Sequence, residues 1–208
     1  MALQTLVSVS NISSLSEARY CAGMGVDLLG FCLDPHHPAY VAPARFQEIR
    51  GWLAGVSIVG ETNSTDPAQI QALLETYRPD RLQVDGLAVL PFLRTLAVPL
   101  IVRIDLTNAV PGTLPDRLHA LAQTTLPATD YLLLAGLPLP DATLLAALQT
   151  VVARHAVLVA TDQPNAVLPL LAHLPLAGIT LTNGPQRTPG SPTFDELMDW
   201  LEGLEAAD

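Results

Sequence analysis

Apolar residues fall along this chain in short unbroken runs, separated by stretches of a different period. The runs are Thr5–Val9, Val26–Leu33, Val56–Gly60, Arg81–Val84, Pro99–Ile104, Asp130–Leu134, Ala156–Ala160 and Gly178–Leu181. Most are nearly continuous in Val, Ile and Leu, as strands covered on both faces must be. Between them the period changes to about 3.6 residues, the spacing of a helix with one apolar face. Ile70, Leu73, Leu74 and Tyr77 line one such face, and Leu144, Leu145, Leu148 and Val151 another. Phe194, Leu197, Met198 and Leu201 repeat the spacing near the C-terminus. Asp66-Pro67 predicts a capped helix start with proline in the first turn. Ser14 with Glu17, and Thr193 with Glu196, have the spacing of capping boxes. Pro169 predicts a short or kinked seventh helix.

Strict alternation of strand and helix implies parallel strands joined by right-handed crossovers. Eight units in 208 residues give about 26 residues each, tight but sufficient for a barrel. The expectation is an α/β fold, a (β/α)8 TIM barrel forming one domain over residues 1–208. The competing layout is an open doubly wound sheet, and no G-x-G-x-x-G follows the first strand to support it.

Composition narrows the partners. Ten basic against twenty acidic residues give a net charge of −10, which opposes nucleic acid and anionic membrane. The most apolar stretch, Leu132 to Ala153, is broken by Pro138, Pro140 and Asp141, and the opening MALQTLVSVS lacks the features of a signal peptide. The expected location is the cytoplasm. Cys21 and Cys32 read as reduced, buried thiols. The apolar helix faces fit a monomer or a homodimer.

Residues 7–43, VSVSNISSLSEARYCAGMGVDLLGFCLDPHHPAYVAP, carry a more specific pattern. They resemble the opening of phosphoribosylanthranilate isomerases: a strand with K-x-C-G-I-T, a helix, G-A-D-x-x-G-F, then a Y-P-x-S-x-R-x-V-x-P loop. Ile12, Ala18, Gly25, Asp27, Gly30, Phe31, Pro35, Val41 and Pro43 fall in register without a gap. Residues 179–201 are similar to the family's closing segment, with Gly184, Pro189 and Gly190 in place. Gln83 and Gly86 fit a Q-L-H-G strand end. These matches are mostly architectural.

The resemblance implies an enzyme of tryptophan biosynthesis that performs an Amadori rearrangement. That reaction needs an acid to open a furanose ring and a base to take the C2 proton. The family places the base, a Cys, at the end of strand one and the acid, an Asp, at the end of strand six. Ser10 and Ala135 stand there in this chain. Alanine transfers no proton, and a serine hydroxyl stays protonated near neutral pH unless a base activates it. The family lysine of strand one is replaced by Ser8, the arginine after strand two by Ala39, and the strand-four histidine by Asp85. The Gly-Gly-Thr-Gly loop after strand six has no counterpart in AGLPLPDATLL. The glycine pair after strand seven becomes Ala160-Thr161, followed by Asp162. At ~5 Å and an effective dielectric of ~20, a carboxylate there repels a phosphate by roughly 3 kcal/mol per unit charge.

Other groups remain as candidates. Thr161, Thr182, Asn183 and Gly184 are the expected contacts for a small anionic or phosphorylated ligand; an ordinary strand-to-helix turn explains Asn183 and Gly184 equally well. Asp85, Arg103 and Asp105 fall near the ends of strands four and five. They are either a replacement acid/base set or an ion pair plugging an emptied pocket. Glu61 and Asn63 are expected to cap or line the mouth. His36-His37 lacks further ligands at metal spacing. His119, His155 and His173 read as isolated and solvated, and Trp52 and Trp200 as packing residues on helix faces. No metal or organic cofactor is expected.

Two main readings follow. One is a barrel of this family with the isomerase activity lost or strongly reduced, acting as a ligand-binding or regulatory pseudoenzyme. The other is an active isomerase of phosphoribosylanthranilate or a related small phosphosugar with a rearranged acid/base set. A third class is a structural partner whose mouth is filled by side chains. A thiol, imidazole or carboxylate brought to the Ser10 and Ala135 positions from elsewhere would favour the second.

Overall fold

The computed structural model describes residues 3–138, 141–183 and 193–205. Eight strands, β1 (Leu6–Ser10), β2 (Leu28–Cys32), β3 (Ser57–Thr62), β4 (Arg81–Asp85), β5 (Leu100–Asp105), β6 (Tyr131–Ala135), β7 (Ala156–Ala160) and β8 (Gly178–Thr182), pair in sequence order. Every pairing is parallel, and β1 closes on β8 from Leu6↔Gly178 to Ser10↔Thr182. The helices alternate with them: α1 (Leu15–Gly23), α2 (Pro43–Arg50), α3 (Pro67–Tyr77), α4 (Leu90–Leu93), α5 (Leu114–Ala122), α6 (Ala142–Val152), α7 (Pro164–His173) and α8 (Phe194–Gly203). This is the (β/α)8 TIM barrel that the hydrophobic pattern predicts.

The local signals act as expected. Ser14 and Glu17 form a capping box on α1, as do Thr193 and Glu196 on α8. The Asp66 side chain accepts the Ala68 N–H at the start of α3. Pro169 lies inside α7, which is ten residues long.

Three readings need correction. Most strands run one or two residues past the apolar stretch, to Ser10, Thr62, Asp85, Asp105, Ala135 and Thr182. The ladder is made of backbone groups, so polar side chains at the mouth do not end it. β2 is shorter than Val26–Leu33, because Val26 N–H turns back to the Cys21 carbonyl. Trp52 follows α2 rather than lying on it, and it is 68 % exposed; Trp200 does pack, against the cluster around β1 and β2.

Side chains alternate across each strand, so the core has two parts. Leu28, Val59, Ile101, Leu133 and Leu158 form a cluster of their own inside the barrel. Two larger clusters fill the space between strands and helices, one around β4–β7 and one around β1–β3 and β8.

The N-terminal end of the barrel is closed by a repeated device. Asp27, just before β2, accepts the Val7 N–H of β1 at 2.9 Å. Asp80, just before β4, accepts the Ile58 N–H of β3 at 2.8 Å. Asp130, just before β6, accepts the Leu100 N–H of β5 at 2.9 Å. Each carboxylate satisfies a donor at the start of the preceding strand. Asp130 is itself buried, so no water replaces it. Asp130→Ala leaves the Leu100 N–H unpaired and is expected to cost ~1–3 kcal/mol of stability, read as a lower urea midpoint with an unchanged m-value.

Candidate functional site

The polar groups collect at the other end, where the strands finish. Two adjoining cavities open there, of about 540 Å³ and about 260 Å³. Arg103, Ala135, Ala160 and Thr182 line both, so they form one groove across the mouth. The larger lies against β6, β7 and α7, and the smaller against β1–β4. The mouth is open rather than plugged.

Ser10 and Ala135 both line this groove and are nearly buried. Asp85 and Arg103 line it too, and Arg103 joins Asp85 to Asp105, which lies beside the groove and lines neither cavity. Arg103 lies 3.5 Å from Asp85 and 3.2 Å from Asp105. Asp105 additionally accepts the Thr107 N–H at 2.9 Å. The Thr107 hydroxyl and N–H, with Arg103, hold its carboxyl below the usual range. Asp105 is the register partner of Ala135, and it therefore stands ionised beside that position.

The surroundings of Ser10 are richer than the sequence suggests. Cys32, His37 and Glu61 line the same cavity. Burial pushes the Cys32 thiol up to about 12, so it carries no thiolate near neutral pH. The His37 Nδ1 accepts the Ala39 N–H at 3.1 Å. Glu61 is different. It points inward from β3, is 7 % exposed, and accepts the Asn11 N–H at 3.2 Å. A Cβ at Gly30 would stand 2.1 Å from its Oε1, so glycine on β2 is what makes room for the carboxylate. Burial raises the Glu61 carboxyl to about 7, against the opposing pull of the Ser10 hydroxyl, the Asn11 N–H and Arg103. Glu61 and Asn63, expected to cap or line the mouth, both line the smaller cavity. The depth of Glu61 is signalled in the sequence only by a lone acid in an apolar strand.

The expected anion contacts are partly engaged within the fold. Thr161 N–H bonds the Thr180 carbonyl, and its hydroxyl accepts the Gln163 N–H at 2.9 Å. Asn183 is buried and donates its N–H to the Ser10 carbonyl. Thr182 lines both cavities, and Asp162 lines the larger one. Gly184, Pro189 and Gly190 lie outside the described residues. Ser8 and Ala39 are buried. His155 is half-buried against the Leu121 carbonyl, rather than solvated. Among the described residues no group of three or more His, Cys, Asp or Glu is placed to hold a metal ion, and no helix is long and apolar enough to cross a membrane.

Comparison with known proteins returns the family that the sequence resembles. No protein-family model matches the chain. The N-(5'-phosphoribosyl)anthranilate isomerase of Nitrobacter winogradskyi is 27% identical over 95 residues, 45% of this chain and 42% of that protein; the match thus spans less than half of the curated relative. The fold agreement is broader. A phosphoribosylanthranilate isomerase crystallised with reduced 1-(o-carboxyphenylamino)-1-deoxyribulose 5-phosphate superposes with a TM-score of 0.72 at 17% identity, over 97% of this chain and 98% of that one. The isomerase of Thermus thermophilus gives 0.67 at 22% identity, over 96% and 98%. The chain is thus similar to phosphoribosylanthranilate isomerases in sequence over part of its length, and in fold over nearly all of it.

The raised Glu61 carboxyl has a thermodynamic consequence. Its value is 4.5 when unperturbed and about 7 in the fold, so between these the folded state binds more protons than the unfolded one. Stability from this group is therefore highest below about pH 4.5, falls as pH rises to about 7, and is flat beyond, by roughly 3 kcal/mol in all. Glu61→Gln should remove that dependence. Urea denaturation of both proteins at pH 5 and pH 8 checks this, and an unchanging difference between them contradicts it.

Proposed function

We propose that this chain is a phosphoribosylanthranilate isomerase-like barrel that receives a small ligand at its mouth but has lost, or nearly lost, the isomerase reaction. The observation that carries this reading is the state of the β6 strand end. Ring opening there needs a proton donor, and Ala135 has none to give. The nearest candidate along the ladder, Asp105, is held ionised by Thr107 and Arg103, and an ionised carboxylate donates no proton. A missing acid or base alone costs about 10²–10⁴-fold in rate. The family's lysine and arginine positions hold Ser8 and Ala39, which weakens substrate binding further. Expression of the chain is therefore expected not to rescue a tryptophan-requiring strain that lacks the isomerase. Rescue at ordinary expression would overturn the reading.

Glu61 favours the second reading in part. It brings a carboxylate to the Ser10 side of the groove, with a proton affinity suited to a base near neutral pH. That supplies half of a rearranged acid/base pair, and Ala135 leaves the other half unfilled.

The ligand we favour keeps a phosphorylated or otherwise anionic end in the larger cavity. Support comes from Arg103, whose guanidinium lines it, and from the phosphorylated ligand of the similar crystal structure. Asp162 works against tight binding. Ribose 5-phosphate should raise the melting temperature in a concentration-dependent way, and Arg103→Ala should abolish the shift. An equal shift in that variant would place the anion elsewhere.

A further inference from the structure

We infer that the smaller cavity, beside Ser10, takes an organic ammonium or amino-alcohol head group rather than a carboxylate. This rests on the reading that the mouth receives a small ligand, and adds the chemistry of one end of it.

The charges around this cavity are lopsided. Asp34, Glu61 and Asp85 line it, against the single guanidinium of Arg103. That guanidinium is already divided between Asp85 and Asp105. An incoming carboxylate meets net repulsion, and an ammonium meets attraction.

The carboxylates also differ in how far they are already satisfied. Asp34 accepts the Thr62 hydroxyl at 2.6 Å and the Asn63 N–H at 2.8 Å. Glu17, buried on α1, accepts from Ser13 and Ser14. Asp34 thus has a donor on each oxygen, and Glu17 has three donors, all on Oε2. Glu61, buried like Glu17, has a single backbone donor at 3.2 Å and the neighbouring Ser10 hydroxyl. A buried carboxylate with acceptor capacity left over is short of a donor.

A second group points the same way. The Thr180 hydroxyl lines the same cavity from β8, is 2 % exposed, and has no hydrogen-bond partner among the described residues. Buried hydroxyls are ordinarily paired. An ammonium donating to Glu61, with a ligand hydroxyl reaching Thr180, satisfies both. A metal ion does not fit as well, since no three ligating side chains converge among the described residues.

Binding of a cation beside Glu61 favours its ionised form. The other ionisable groups facing that carboxylate are Cys32, Asp34 and His37 from β2 and its following loop, Asp85 from β4 and Arg103 from β5. Of these, Glu61 has the carboxyl raised to about 7, so an ammonium bound near neutral pH should expel its proton.

The test compares three small molecules built on a three-carbon chain: serinol, glycerol and glycerate, which carry an ammonium, only hydroxyls, and a carboxylate. Serinol is expected to bind at least about tenfold more tightly than either of the others, with proton release seen by calorimetry in buffers of different ionisation enthalpy. Glu61→Gln should lower serinol affinity at least about tenfold and abolish proton release. Preference for glycerol or glycerate, undetectable serinol binding, or unchanged affinity in the variant would overturn the inference. None of these outcomes touches the rescue experiment, so the loss of isomerase activity stands or falls separately.

Discussion

Eight strands closed on themselves enclose a fixed and narrow interior, and what fills it decides where chemistry is possible. In this barrel the middle is taken by Leu28, Val59, Ile101, Leu133 and Leu158. Below that plug, Asp27, Asp80 and Asp130 bind strand-starting N–H groups and tie the strands together. Above it the inward positions are Ser10, Gly30, Glu61, Gln83, Arg103, Ala135, Ala160 and Thr180, which are too small or too polar to pack tightly. The open mouth is thus a consequence of where the large apolar side chains stop.

The fold was legible because it is written in repeated local signals. Near-continuous Val, Ile and Leu runs recur in most units with 3.6-residue helical spacing between several of them, and the caps at Ser14, Asp66 and Thr193 mark helix starts. Strand ends were less legible, because backbone pairing continues through Ser10, Thr62 and Asp105 irrespective of side chain. The site was legible only where a family pattern could be laid on it. That pattern located Ser10 and Ala135 as strand ends and said what they lack. It did not mark Glu61 as buried or recruited, since that depends on Gly30 from another strand leaving a space. Pairing of that kind is a contact between strands, and no spacing along one strand encodes it. Asn183 was legible only as a turn residue: that its N–H bonds the Ser10 carbonyl across the β1–β8 closure while its side-chain oxygen stays unpaired among the described residues is again a contact between strands.

Two carboxylates at this end of the barrel, Asp105 and Glu61, show how environment sorts identical chemistry. Asp105 is near solvent and holds a hydroxyl, an N–H and a guanidinium, so its charge is stabilised. Glu61 is enclosed and has few donors, so its charge is costly. The first behaves as a fixed anion that anchors Arg103. The second exchanges its proton near neutral pH. Had the two environments been reversed, the β6 side would hold a proton donor and the Ser10 side an ionised carboxylate, closer to what an acid/base reaction needs.

That arrangement also bears on why the mouth stays polar at all. A barrel retained only as a scaffold would gain stability by replacing Glu61 with an apolar side chain, since an enclosed and under-satisfied carboxylate costs free energy at neutral pH. Gly30 would then be free to carry a side chain as well, and Thr180 could become valine. The room that Gly30 leaves for Glu61 is an expensive arrangement for a scaffold alone, and it supports the proposal that the mouth receives a ligand. A purely structural role accounts for the carboxylates at the bottom of this barrel; the proposed ligand would account for the enclosed carboxylate at the top.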